Sequence, residues 1–164
     1  MKFYLFAPGE TTPDKVDRLL VDVIKVKAFL TNGVVEIFEN HQNLMGKIEN
    51  NVVEVEYNSQ NKTAKEIFVL DDALFGVAAD FSKEFLNPEK EDTNEICAFL
   101  FTKSVRELNE KTSVEAIQEE YEKKFNLLQS YSQSSPSTMV LEKEVEFLKK
   151  TVSILKEYKM KGFN

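Results

Sequence analysis

The chain has one cysteine, one histidine and no tryptophan among its 164 residues. A single thiol, Cys97, excludes an internal disulfide and fits a reducing compartment. It lies in the apolar run Ile96-Cys97-Ala98-Phe99-Leu100-Phe101, where a small core side chain is expected rather than a reactive thiol. One His with one Cys leaves too few ligands for a zinc or transition-metal site of usual composition. Only five glycines occur, never as GxGxxG or GxxxxGK, so no phosphate-cradling loop is expected. There is no GxSxG elbow. Positive charge is in deficit: 21 Lys and Arg against 28 Asp and Glu give a net charge of −7. Nucleic acid is therefore not an expected partner, because phosphate contact needs clustered Lys and Arg. No apolar run approaches the roughly 20 residues of a spanning helix. The apolar start Met1–Phe6 is too short for a signal h-region. The expectation is a cytoplasmic protein that reaches a membrane only through a partner.

What is present changes character near residue 104. Before it, β-branched and aromatic runs are broken by turn signals. Lys2 to Ala7 reads as a strand closed by Pro8-Gly9. Leu19 to Phe29 alternates with a phase shift around Ile24, which suits a half-buried strand with a bulge. Asn32-Gly33 is the strongest short turn signal. Val34 to Phe38 and Asn43 to Ile48 read as two arms about the polar corner Glu39-Asn40-His41-Gln42-Asn43. Glu49-Asn50-Asn51 reads as a turn into Val52 to Tyr57, and Ser59 to Lys62 as a turn into Glu66 to Leu70. Leu74 to Ala78 and Ile96 to Phe101 are further strands, with an exposed acidic loop over 79–94 between them. Many short strands without intervening helices predict an antiparallel sandwich or barrel.

After residue 104, Glu, Lys and Leu dominate with helical spacing. Thr112-Ser113-Val114-Glu115 is a capping-box pattern in which Thr112 caps the helix and Glu115 reaches back. Val114, Ile117, Tyr121, Phe125 and Leu128 form one apolar stripe. Ser135 is a candidate N-cap, with Pro136 at the first helical position. Leu141, Val145, Leu148, Val152 and Leu155 then make a coiled-coil-like seam. Phe147 and Ile154 add a second apolar edge, so this helix offers a partner-binding surface at Leu148, Val152 and Leu155. Gly162 is a stop signal. The reading is a sandwich over 1–104 and an antiparallel two-helix hairpin over 105–164.

Chemistry is sparse. His41 is the one candidate catalytic base, and Asp71-Asp72 is a carboxylate pair read at a strand end. A small hydrolase or ligand-binding sandwich using them is one reading. A solvated corner and a solvated turn, in a non-enzymatic binding or assembly module, is the other. A free-standing adaptor whose hairpin binds a partner helix is a third.

The order of elements resembles the epsilon subunit of F-type ATP synthases. That family opens with a strand ending in a proline turn, as Phe3 to Pro8 does. Its stretch G-E-L-G-I-x-P-G-H-A-P-L-L-x-x-I is similar to Gly33 to Ile48, which keeps the glycine, isoleucine, histidine and leucine in register. Its F-x-x-x-G-G-x-x-x-V segment looks like Phe68 to Val77, and its last strand like Ile96 to Ser104. The resemblance covers nearly the whole chain. It implies a β-sandwich of about ten antiparallel strands, then the hairpin, and a rotor subunit with no catalytic residues. It implies a gamma-like partner, alpha/beta-type catalytic subunits reached through the hairpin, and contact with a membrane c-ring in proton-transporting synthases. The partner-binding residues it points to are Val34, Phe38, His41, Asn43 and Leu44. No cofactor is implied: some members bind ATP through an I/L-D-x-x-R-A motif, and Ser113 to Lys123 has no arginine. Three departures stand out. Val34 replaces the family's acidic residue at the c-ring end, Glu39-Asn40 replaces Pro-Gly, and Asp72-Ala73 replaces Gly-Gly. They leave open an F-type-like ATPase that drives motility, such as gliding, and is not coupled to a proton ring.

Overall fold

The computed structural model describes residues 1–7, 17–79, 95–131 and 135–161. The Pro8-Gly9 turn, the acidic stretch 80–94 and the Gly162 stop lie outside them. The described residues form two compact units, Met1–Glu107 and Leu108–Asn164.

The first unit holds β1 (Lys2–Phe6), β2 (Arg18–Leu20), β3 (Val23–Leu30), β4 (Gly33–Ile37), β5 (Leu44–Ser59), β6 (Lys62–Ala79) and β7 (Ile96–Thr102). A further strand, β8 (Val105–Leu108), follows the run expected to be last and pairs with β6. The order of the remaining strands is β2-β1-β7-β6-β5-β3-β4. All pairs on that path are antiparallel except β1 with β7, which is parallel.

Two strands are far longer than the sequence reading had them. β5 runs 16 residues and β6 runs 18, and they pair without a register break from Leu44↔Val77 to Ser59↔Lys62. Their turn is Gln60-Asn61, both with positive φ, the conformation of a type I′ hairpin. Glu49-Asn50-Asn51 is therefore not a turn, and Asp71-Asp72 is not at a strand end. Both lie inside the long strands, facing each other. Asn50 takes a φ of 46°, and the core-facing phase changes there. On β5 the core side chains are Leu44 and Ile48 before it, then Val53 and Val55; on β6 they are Phe68 and Leu70, then Ala73, Phe75 and Val77. This corner bends one continuous ribbon into two layers. β3 and β4 extend the layer at the hairpin end of β5, and β7, β1 and β2 extend the layer at the far end of β6. The described residues hold eight strands, where the resemblance implied about ten; β5 and β6 each take in two of the runs read separately in the sequence.

The expected bulge is present. The β3–β5 register shifts between Val23 and Lys25, at Ile24. The β3–β4 turn is Thr31-Asn32, and Gly33 begins β4 with φ 145°, a value that favours glycine. The core between the layers is built from Phe3, Leu5, Val26, Ala28, Ile37, Ile48, Val53, Val55, Phe68, Leu70, Phe75 and Leu100, all buried. Gly76 has a different duty. It pairs with Phe99, and a Cβ there would run into the Phe99 ring. Gly76→Ala is expected to cost about 1–3 kcal/mol by overpacking, read as a lower urea midpoint.

The second unit contains α1 (Val114–Ser130) and α2 (Pro136–Lys161). The α1 cap falls one residue later than the sequence reading: Ser113 accepts from the Ala116 N–H at 3.1 Å. Thr112 instead accepts from the Asn109 N–H at 2.9 Å, in the preceding turn. Ser135 caps α2 as expected, and Thr138 closes the box: Ser135 Oγ accepts from the Thr138 N–H, and Thr138 Oγ1 from the Ser135 N–H. Lys124 meets Glu144 at 2.7 Å and Lys159 donates to the Glu110 carbonyl, so the helices run antiparallel. No helix among the described residues is long and apolar enough to cross a membrane.

Candidate docking surface

The corner that follows β4 is a tight turn. The His41 N–H donates to the Phe38 carbonyl at 3.2 Å, and Asn40 takes φ 69°. Asn tolerates this left-handed position better than other non-glycine residues, which is why Glu39-Asn40 can turn here. The His41 ring bonds the Gln42 carbonyl through Nδ1 at 2.7 Å. A carbonyl only accepts, so Nδ1 carries the hydrogen. Nε2 is then the basic nitrogen, and among the described residues no hydrogen bond joins it to a hydroxyl or a carboxylate. Val34, Phe38 and Asn43 are exposed, whereas Leu44 is half-buried against the core. Val34 lies on β4 and Phe38, His41 and Asn43 in the segment between β4 and β5, with His41 half-buried.

The rest of the predicted set lies elsewhere. Leu148, Val152 and Leu155 are all buried in α2, together with Val145. They stabilise the fold described here and do not form an open surface in it.

A second surface escaped the sequence reading. On β1, Phe3 and Leu5 point to the core, so Tyr4 and Phe6 point out. On β7, Ala98 and Leu100 point in, so Cys97, Phe99 and Phe101 point out. The pairing places Tyr4 beside Phe99 and Phe6 beside Phe101. The rings interlock: Phe6 stacks on Phe101 at 4.6 Å, Tyr4 on Phe6 at 6.2 Å, and Phe99 meets Phe101 edge-on at 5.5 Å. The same registers extend the face sideways, with Leu74 beside Phe101, Met45 beside Gly76, and Leu19 beside Tyr4. Tyr4, Cys97 and Phe99 are buried, while Leu74 is 40% exposed, Phe101 42% and Met45 65%. Solvent therefore meets an apolar margin, Leu74, Phe101 and Met45, beside an aromatic row that the chain itself already buries. The signal was present in the sequence: β1 and β7 are apolar at both parities, which marks a strand with two apolar faces.

Along one side of that face lies an open cleft of about 690 Å³, lined by Lys47, Asp71, Asp72, Leu74, Phe101, Thr102, Lys103 and Ser104. The carboxylate pair is part of it. Lys47 holds Asp72 at 3.5 Å, and Thr102 Oγ1 donates to the Asp72 carbonyl at 3.0 Å. Two adjacent acids, one of them paired to a lysine, make a charged rim and not an acid–base couple.

A polar cluster at the hairpin end of the sandwich was also missed. Glu66 is 4% exposed. Its Oε1 accepts from the Arg18 guanidinium and from the Tyr57 hydroxyl, both at 2.6 Å. Arg18 also reaches Glu107 of β8 at 3.5 Å. The hydrogen bond to Glu66 holds the Arg18 pKa above its usual value, and burial, helped by the same carboxylate, pushes Tyr57 up to about 12. Burial and then the Glu66 charge raise Glu107 above the usual carboxyl range. Nothing in the sequence singled out these four, because strands far apart in the chain bring them together.

No protein-family model matches the sequence, and no curated protein matches it. Solved structures do. A chain in the cryo-EM structure of Euglena gracilis mitochondrial ATP synthase (OSCP/F1/c-ring, rotational state 1) superposes with a TM-score of 0.50 at 15% identity, covering 94% of this chain and 78% of that one. A chain in the Tetrahymena thermophila mitochondrial ATP synthase central stalk/c-ring structure gives a TM-score of 0.44 at 8% identity, covering 96% and 95%. The sandwich followed by two helices is thus a fold that occurs in a mitochondrial ATP synthase.

Proposed function

We propose that the chain is a non-catalytic, epsilon-like subunit of an F-type or F-type-like ATPase, seated on the rotor beside a gamma-like subunit. What supports this reading is the shared fold, which extends over 94% of the chain in the Euglena comparison and so includes sandwich and helices together. Fold alone does not assign function. The exposed apolar margin supplies the local argument, since a rotor subunit needs a permanent docking face. The helices are its route to alpha/beta-type subunits. A motor without a proton ring is the second reading, resting on Val34, which is exposed where the resembled family has an acid toward the c-ring.

Affinity isolation of the full chain from its own cells tests the assignment. A gamma-like subunit should co-purify in stoichiometric amount, together with catalytic subunits. A c-ring in the same complex selects the synthase, and its replacement by other proteins selects the second motor. Fully assembled catalytic complexes that contain a gamma-like subunit and never this chain would overturn the proposal.

A further inference from the structure

We infer that Glu107 and Glu66 share a proton, and that this proton latches β8 onto the sheet. The chain leaves the sandwich through β8, and the latch makes that exit tighter as pH falls. The inference stands independently of the rotor assignment.

The geometry carries it. Glu66 is buried on β6, and only one of its oxygens is served: Oε1 takes both the Arg18 and the Tyr57 hydrogens. Its other oxygen, Oε2, is buried with no hydrogen-bond partner among the described residues, and neither has Arg18 Nε, whose N–H does not reach it. An unserved buried carboxylate oxygen is costly, and a donor brought to it is stabilising. The remaining member of the cluster, Glu107, is a carboxylate when ionised and can only accept. Protonated, it becomes a donor able to serve that oxygen. The two acids belong to strands that pair with each other, β6 and β8. The hydrogen bond would therefore fasten one strand to the next.

Three groups around Glu107 set its charge balance. Glu66 comes from β6 and Arg18 from β2, and Tyr57 of β5 feels the Glu107 charge in turn. Tyr57 stays neutral throughout the physiological range because its hydroxyl is pushed up to about 12. With both acids ionised, one guanidinium serves two carboxylates and the cluster is one negative charge in excess. Arg18 opposes protonation of Glu107, but burial and the Glu66 charge outweigh it, so the folded pKa is raised. A carboxyl whose folded pKa is raised binds its proton more tightly in the docked state. The stabilisation is complete below the ordinary carboxyl pKa and is lost as pH rises through the raised value. The latch is thus closed below the ordinary carboxyl pKa and slackens as pH rises through the raised one.

Hydrogen exchange of the Val105–Leu108 amides in the full chain reads this directly, once corrected for intrinsic exchange. Protection should rise as pH falls through the raised Glu107 midpoint toward the ordinary carboxyl range, by up to about tenfold per pH unit, the limit for one proton. Glu107→Gln keeps a side-chain donor at all pH values, so its β8 protection should be high and flat. A wild-type profile that is flat, or a Glu107→Gln profile that keeps the same slope, overturns the latch. The carbon-13 titration of the Glu107 carboxyl is the second readout. A midpoint above the usual carboxyl range is expected, and one at or below it would end the proposal even if β8 proved pH-sensitive.

Discussion

Phe68→Ala is expected to remove about 3–5 kcal/mol of stability, the cost of emptying a large buried aromatic site. Phe68 is fully buried, opposite Val53 in the β5–β6 ribbon, and stacks on Phe3 of β1 at 5.2 Å. The ring therefore joins the long hairpin to the strand that β2 and β7 flank. Its loss leaves a cavity that neither Phe3 nor Val53 can fill without shifting a backbone. Set against a typical total of about 5–15 kcal/mol, this is a large fraction. Urea unfolding should show a much lower midpoint with the slope preserved, since the surface exposed on unfolding hardly changes. Met160, 88% exposed on α2, is the internal control. Met160→Ala should stay within about 0.5 kcal/mol of the parent. Equal effects at the two sites would contradict the core described here.

Much of the architecture was legible because hydrophobic period reports local conformation. Alternation marked the strands, the three-and-four spacing marked both helices, and Ser135-Pro136 marked a helix start to the residue. Misreadings came where local chemistry is ambiguous. Glu49-Asn50-Asn51 has turn composition, yet Asn50 spends its left-handed φ on a corner inside a paired strand. Only the partner strand, with its matching phase change across Asp71-Asp72, distinguishes a corner from a turn. Thr112 and Ser113 are equally good caps in composition. The choice fell to Ser113 because Thr112 is engaged by Asn109.

The candidate site divides in the same way. His41 was conspicuous as the sole histidine, and the fold gives it a backbone partner at a corner. Arg18, Tyr57, Glu66 and Glu107 are unremarkable one at a time and meet only through strand pairing. The aromatic face was readable in part. Tyr4 and Phe6 alternate with Phe3 and Leu5, but a continuous apolar run does not say which parity faces the core until a neighbouring strand is known.

The largest expected effect on association comes from that face. Leu74 and Phe101 are directly paired neighbours on β6 and β7, each about 40% exposed. Leu74→Glu with Phe101→Glu places two carboxylates in the centre of the apolar margin, where Lys47 on the adjacent strand can receive one of them. Both side chains meet solvent, but Phe101 also stacks on Phe6 and meets Phe99, so the urea midpoint of the double variant is measured beside its binding to separate lost folding from lost docking. Docking should suffer heavily, because a partner must then bury charge against its own apolar surface. Losing two anchors of this kind predicts a fall in affinity for the gamma-like partner of about 100-fold or more, near 2.7 kcal/mol. The corner provides the contrast. Phe38→Ala and His41→Ala remove side chains from Val34–Leu44 without disturbing the aromatic row. If the corner dominates docking, these variants lose the partner and the Leu74/Phe101 pair does not; if the face dominates, the order reverses. A hydrolase centred on His41 would instead lose several orders of magnitude in rate with His41→Ala and be indifferent to Leu74 and Phe101. Binding measured by calorimetry on the full chain separates the two surfaces. Undiminished affinity in both sets of variants would remove the sandwich from consideration as the docking domain.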